Sequence, residues 1–173
     1  MSTFPPVAAQ TPVSAEDRSS AVDFVNRSNW HFETWDVEQM VASFLPDSTT
    51  YHFHGTVHGH DGLRRLFAEE YPYLVPGVCR HATNHIVDQD GADGVTVRYH
   101  NLLIRYAPGD TEPGQVGDIA RTPSDGGTPA IWIYSPMLDR LRKTADGGWK
   151  IYERYVGASA MNPHFSPEPG ITP

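Results

Sequence analysis

The sequence predicts an α+β fold, with helices gathered early in the chain and long strands late. Two observations carry this. Up to about residue 70 the apolar residues recur mostly at helical spacing, whereas from about residue 80 they fall into four β-branched and aromatic runs. Those runs are separated by turn chemistry such as Asp90-Gly91 and Asp146-Gly147-Gly148. The 173 residues suit one domain with a sizeable core and leave no room for a second of ordinary size. Strands do not alternate with helices, so the sheet is expected to be antiparallel in the main.

Residues 1–13 are rich in Pro, Ala and Thr, the composition of a disordered or loosely draped arm. Structure is expected from Ser14, where "SAED" forms a capping box, and Ala21, Phe24, Val25 and Ser28 give a stripe that carries a first helix to about Phe32. In "TWDVEQMVASFLPD", Asp36 is placed to cap a second, short helix with Val37, Met40, Val41 and Phe44 on one side and Pro46 after it. Residues 48–58 turn to β-branched, aromatic and histidine residues broken at Gly55, which predicts a hairpin. A third helix follows in "HDGLRRLFAEEYPYL", with Leu63, Leu66, Phe67 and Glu70 along one side and Pro72 and Pro76 to stop it. Four long strands then run through "RHATNHIVDQ", "GVTVRYHNLLIRYA", "PAIWIYSPMLDRLRKT" and "GWKIYERYVG". The domain is expected over 14–157. The Gly- and Pro-rich segment 108–129 reads as a lid or a disordered loop, and 158–173 as a tail that can cover a pocket.

Bulk composition narrows the function classes. Thirteen Lys and Arg against 21 Asp and Glu give a formal charge of −8, with basic residues clustered no further than the broken "RLRK" at 140–143, so a nucleic-acid footprint is not expected. The single cysteine, Cys79, allows no internal disulfide and no multi-cysteine metal site. The start "MSTFPPVAAQTP" has neither a basic nor an apolar leader region, and no apolar stretch approaches the ~20 residues needed to cross a bilayer. A cytoplasmic protein that engages no membrane is the expectation.

The stretch "WDVEQMVASFLPDSTTYHFHGTVHGHDGLRRLF", then "CRHATNHIV" and the closing "DGGWKIYERYV", resembles the SnoaL-like branch of the nuclear transport factor 2-like (NTF2-like) superfamily, over residues 15–162. That branch includes polyketide cyclases, scytalone dehydratase and hexachlorocyclohexane dehydrochlorinase. The resemblance implies a cone: three helices packed in a strongly curved, mixed and mostly antiparallel sheet that encloses an apolar pocket. It also implies an Asp–His pair, with the histidine at the start of the strand after the third helix and the carboxylate just before the second helix. His81 in "CRHATN" takes the first position. Glu33 takes the second by count, one methylene longer than Asp, with Asp36 the competing carboxylate. The tail "MNPHFSP" resembles the segment that closes the pocket in the dehydrochlorinase-like members.

A histidine whose Nδ1 proton is held by a carboxylate presents Nε2 as a base, and the carboxylate stabilises the imidazolium that forms. Glu33 and His81 are therefore the expected catalytic pair. Tyr51, His100, Tyr99 and Glu153 are further candidates to polarise an oxygen or donate a proton, Glu153 competing with ordinary pairing to Arg140 or Arg142. On the strand from 95 to 106, Val95, Val97, Tyr99 and Asn101 share one face and Arg98, His100 and Leu102 the other. Trp30, Trp35, Phe53, Tyr99 and Tyr152 are candidate walls for a flat or terpenoid substrate.

The stretch "YHFHGTVHGH" places His52, His54, His58 and His60 within residues 51–60. His52 and His54 share a strand face and offer an HxH pair to a metal, but no Glu-x-x-His or facial-triad spacing accompanies them. Tyr51 and Phe53 are the more natural pocket lining, which sends both histidines outward.

No phosphate loop or GxSxG elbow is present, and Cys79 beside Arg80 lacks a nucleophile motif. The expected function is a cofactor-free dehydratase, isomerase or cyclase acting on a hydrophobic small molecule such as a polyketide or other secondary-metabolite intermediate, in a homodimer. The alternatives are a binding or protein-interaction module of the same fold, and a metal-dependent enzyme using His52 and His54.

Overall fold

The computed structural model describes residues 3–7, 10–53, 55–74, 77–106 and 127–165. Helix α1 spans Ala15–Glu33, and the Ser14 hydroxyl accepts a hydrogen bond from the Asp17 N–H at 3.0 Å, with Glu16 and Asp17 at the positive end of the helix dipole. Its inward stripe is Ala21, Val25, Ser28, Asn29, Phe32 and Glu33, so the face that packs on the sheet also carries polar groups inward. Trp35 turns the chain in a left-handed conformation (φ 56°) between α1 and α2, Val37–Ala42. Asp36 caps α2 through its carboxylate on the Gln39 N–H at 3.1 Å, as the sequence predicts. The helix ends at Ala42, ahead of Pro46, which lies inside strand β1, Phe44–His52.

Strand β2, Gly55–His58, folds back on β1 with His52 opposite Gly55, the expected hairpin. Helix α3 covers Gly59–Glu70 and buries Leu63, Leu66 and Phe67, and a short 3₁₀ turn follows at Tyr71–Tyr73. The long strands are β3 (Val78–Gln89), β4 (Gly94–Arg105), β5 (Ala130–Lys143) and β6 (Trp149–Val156). A two-residue strand β7, Ala160–Met161, adds to β5. The sheet runs β2-β1-β6-β5-β4-β3, antiparallel throughout except that β1 lies parallel to β6.

Curvature has local causes. The ladder slips between Thr83 and Ile86, between Leu103 and Ile104, and between Arg140 and Leu141, and each slip bends the sheet and changes which side chains point inward. Asn84, at the first slip, sits at φ 56°, a conformation that Asn tolerates better than most residues. The main core joins the helices to the concave sheet face. A second cluster of Val78, Leu103, Trp132 and Ile133 is capped by Leu74 and Phe165.

The two ends of the chain are anchored where described. Thr11 exchanges hydrogen bonds with Asp88 and Gln89 at the end of β3, and Arg98 donates to the Pro5 and Pro6 carbonyls, so the arm lies against the outer face of the sheet. The tail pairs with β5, the Asn162 N–H donates to the Trp132 carbonyl at 2.7 Å, and Phe165 rests on the second cluster. The expected lid at 108–129 lies outside the described residues but for 127–129, as does the tail beyond Phe165. Among the described residues no helix is long and apolar enough to cross a membrane.

Candidate functional site

Helices α1 and α3 and the concave sheet face enclose a chamber of about 40 Å³. Its apolar walls include Phe32 and Phe67, which meet edge to face with ring centroids 5.3 Å apart, together with Leu63, Leu66 and Met137. Its polar groups come from separate elements: Asn29 from α1, Thr50 and His52 from β1, Arg80 from β3, Tyr99 and Asn101 from β4, and Arg154 from β6.

Four of these carry an atom with no hydrogen-bond partner among the described residues: Asn29 Nδ2, Thr50 Oγ1, Arg80 Nη1 and Asn101 Oδ1. Their residues are 8%, 3%, 8% and 8% exposed. Buried polar atoms are almost always satisfied, and each one left without a partner costs of order 1–3 kcal/mol. Four around one chamber mark a place built to receive polar atoms from outside the chain.

The rest of the polar lining is held firmly. Arg154 forms a two-pronged pair with Asp139, Nε to Oδ1 at 2.6 Å and Nη2 to Oδ2 at 2.7 Å, and the Tyr99 hydroxyl donates to Asp139 Oδ2 at 3.0 Å. Burial, the Asp139 charge and the hydrogen bond keep the Tyr99 hydroxyl protonated far above its usual range, although Arg154 pulls the other way. Burial alone would lower the Arg154 pKa, but Asp139 and Tyr99 raise it further, so the guanidinium stays charged. Arg80 is clamped differently: Nη2 donates to the Leu74 carbonyl at 3.0 Å, and the guanidinium lies against Phe32 and Tyr71 at 5.2 and 5.9 Å from the ring centres.

His52 and Val156 line both this chamber and a second, open groove of about 590 Å³. The groove is walled by Tyr51 stacked on Tyr155 at 4.5 Å, by Phe53, and by Phe4 from the N-terminal arm. Gly157 lets the arm approach: a Cβ there would lie 2.7 Å from the Pro136 ring and 3.1 Å from the Phe4 ring. His52 and Val156, near the ends of β1 and β6, thus border both a small polar chamber on the concave face and a larger aromatic groove formed by the outward Tyr51 and Tyr155.

The side chains singled out from sequence are distributed as follows. Glu33 is buried, but its Oε1 accepts the Arg80 backbone N–H at 2.7 Å, bracing the edge strand β3 from α1. Burial pushes its pKa up, opposed by that N–H and by the charges of Arg80 and His81. His81 lies exposed on the outer face of β3, where its Nε2 is 3.4 Å from the Cys79 sulfur, and it does not line the chamber. Glu33 and His81 are therefore close along the edge of β3 but not joined as a pair inside the cone. Tyr99 points inward and His100 outward against Tyr134. Glu153 pairs with Arg140 at 2.9 Å, and Tyr152 donates to Asp90 beneath Arg142; burial and Asp90 push the Tyr152 pKa up to about 12.

Trp30 is 56% exposed over a surface hollow with Asn26, Arg27 and His31, and Trp35 packs partly buried against the main core. The expected facing of β1 is reversed: Thr50 and His52 look into the chamber, while Tyr51 and Phe53 line the groove, Phe53 half exposed. The register explains it, since Thr50 lies beside inward Arg154 and Tyr51 beside outward Tyr155. His54 lies outside the described residues. Among the described residues, no three or more His, Cys, Asp or Glu side chains come together as a metal would need.

Sequence reasoning missed Asn29, Thr50, Arg80, Arg154 and Asp139, and also His85. The His85 ring stacks on Tyr99 at 5.7 Å with Nε2 buried and without a partner among the described residues, and burial lowers its pKa. The one signal for His85 was Asn84, whose tolerance of a left-handed backbone allows the slip that turns the next side chain inward.

A family model described as "SnoaL-like domain" matches residues 13–155. No curated protein matches the chain in sequence. Among solved structures, a protein of unknown function with a cystatin-like fold from Nostoc punctiforme superposes with a TM-score of 0.65 at 18% identity, covering 90% of this chain and 96% of that one. A protein provisionally described as a scytalone dehydratase, from Novosphingobium aromaticivorans, superposes with a TM-score of 0.61 at 19% identity, covering 85% and 88%. The protein Aln2 from a Streptomyces species gives 0.65 at 13% identity, covering 86% and 93%. At such identities the likeness speaks to the fold, an NTF2-like cone with a cystatin-like sheet.

Proposed function

This chain belongs to the SnoaL-like domain family, an NTF2-like family of enzyme type, and from that footing we propose that it is a cofactor-independent acid/base enzyme, a dehydratase, isomerase or cyclase, acting on a hydrophobic small molecule. The observation that carries the proposal is the set of four unpartnered polar atoms around one apolar-walled chamber. The substrate's apolar body lies in the groove between Tyr51, Phe53 and Phe4, and its oxygens reach past His52 into the chamber.

Arg80 Nη1 and Asn29 Nδ2 then face the oxygen on which negative charge grows as a proton leaves the neighbouring carbon. His52, which borders both spaces, is the group to which this reading gives that proton, to be returned to another carbon in an isomerisation or to a departing hydroxyl in a dehydration. In the dehydration a C–H and a C–O bond break, a C=C bond forms, and the proton leaves with the hydroxyl as water. Phe32, Leu63, Leu66 and Phe67 keep bulk water out while the charge develops. Glu33 and His81, the pair implied by the family resemblance, act in this reading as a brace for β3 and a surface residue.

The test is a set of aryl β-hydroxy ketones followed for the absorbance of the conjugated enone. His52→Ala is expected to lower kcat ~100-fold or more, in line with the loss of a general acid/base group, while binding persists. His81→Ala is expected to leave kcat within a few-fold of wild type. The reverse pattern would return catalysis to the Glu33–His81 pair.

A binding module of the same fold is the second reading. One observation favours it: the chamber lining contains two arginines and no carboxylate. Ligand binding with no turnover on any ketone of the set would select it.

A further inference from the structure

The two arginines of the chamber are paired differently. Arg154 is neutralised by Asp139, which has no exposed surface. Arg80 has no carboxylate hydrogen-bonded to its guanidinium: Glu33 is near enough for the two charges to interact but spends one oxygen on the Arg80 backbone N–H, Nη2 meets a carbonyl, and Nη1 meets nothing among the described residues. A buried guanidinium with an open N–H calls for a negatively charged acceptor. Asn29 offers a second open donor, Nδ2, and Thr50 Oγ1 can donate or accept.

Size limits what can answer. The chamber of about 40 Å³ is a few times the roughly 10–15 Å³ that a single water needs on the same measure, a size that suits a compact head group. The groove of about 590 Å³, which shares His52 and Val156 with the chamber, has room for the remainder.

We propose that the ligand of this site is a two-part molecule: a compact anionic head with two conjugated oxygens, held by Arg80, Asn29 and Thr50, on an aromatic or alicyclic tail that lies against Tyr51, Tyr155 and Phe53. A carboxylate and an ionised 1,3-dicarbonyl share this head chemistry. In the second case the enolate that the head stabilises is the species formed when a proton is removed between the two carbonyls. The inference rests on the chamber being the ligand site and not on any particular turnover.

The test is calorimetric titration of the full chain with three probes of similar bulk: 4-phenylbutyrate, 1-phenyl-1,3-butanedione at a pH where it is partly ionised, and the neutral 4-phenylbutanol. At least one anion is expected to bind ten-fold or more tightly than the alcohol. Preference for the carboxylate alone identifies an acid head, and preference for the diketone alone identifies an enolate head. Asn29→Leu is expected to weaken the preferred anion about ten-fold and leave the alcohol within two-fold. Arg80→Met is expected to abolish the preference, and Asn29→Leu, which leaves the Arg80 stack intact, carries the test if that variant fails to fold. Equal binding of all three probes, or a preference untouched by Asn29→Leu, overturns the proposal. Because this readout needs no turnover, a failed ketone assay with a clear anion preference rejects the enzyme reading and keeps this one, and the converse result does the opposite.

Discussion

Arg154 and Asp139 meet through two parallel hydrogen bonds of 2.6 and 2.7 Å inside the sheet, the arginine 8% and the aspartate 0% exposed. The pair joins β6 to β5 and, through the Tyr99 hydroxyl, to β4. Removing one member leaves the other charge buried and alone, so Arg154→Met is expected to cost about 3–5 kcal/mol in urea unfolding. The double change Arg154→Met with Asp139→Leu is expected to recover most of that loss. A single variant as stable as wild type would show that the pair does not hold the three strands together.

Asn101→Leu makes the opposite prediction for stability. Its Oδ1 is buried with no partner among the described residues, so an apolar side chain of similar size removes a desolvation cost. Thermal unfolding of the free protein is expected to rise by a few degrees, while binding of the anionic probes does not weaken, because a carboxylate or enolate has no proton to donate to Asn101 Oδ1. A lower melting temperature would give Asn101 a structural role instead.

Acid sensitivity is expected to have a contribution from His85. Its ordinary value is 6.5, and burial against Tyr99, near the Asp139–Arg154 pair, lowers it in the folded protein. The unfolded chain then takes up this proton at a higher pH than the folded one. Stability from this group is complete above about pH 6.5 and declines as the pH falls from there until the folded imidazole also protonates. Melting temperatures measured from neutral to mildly acidic pH are expected to fall more steeply for wild type than for His85→Phe. Parallel curves would contradict this.

The N-terminal arm is expected to shape the groove. Arg98 holds the Pro5 and Pro6 carbonyls and lies 5.8 Å from the Phe4 ring centre, and Phe4 forms one groove wall. Arg98→Ala is expected to raise KM several-fold for substrates with bulky tails and to leave kcat within two-fold. Equal effects on large and small substrates would dissociate the arm from recognition.

Much of the fold was legible because its signals are local. Ser14 and Asp36 announce two helix starts, the stripe through Leu63, Leu66 and Phe67 gives the third helix, and strict alternation in β4 puts Val97 and Tyr99 on one face. The site was less legible for two physical reasons. Alternation fails at a bulge, so the slips near Asn84 and Tyr152 turned His85 and Arg154 inward against the simple count. A charged residue on a strand also reads as a solvated face, and nothing in the neighbours of Arg80 or Asp139 shows that each is enclosed. The histidine stretch misled in the other direction: aromatic character made Tyr51 and Phe53 the natural lining, yet the register against β6 gives the inside to Thr50 and His52.

The most direct test of the chamber as ligand site is a crystal structure with 4-(4-bromophenyl)butyrate or the corresponding brominated diketone, with the bromine located by anomalous scattering. The predicted result is bromine between Tyr51, Tyr155 and Phe53 and the two oxygens within hydrogen-bond distance of Arg80 Nη1 and Asn29 Nδ2. Bromine in the surface hollow beside Trp30, with the Arg80 side of the chamber empty of ligand density, would contradict it.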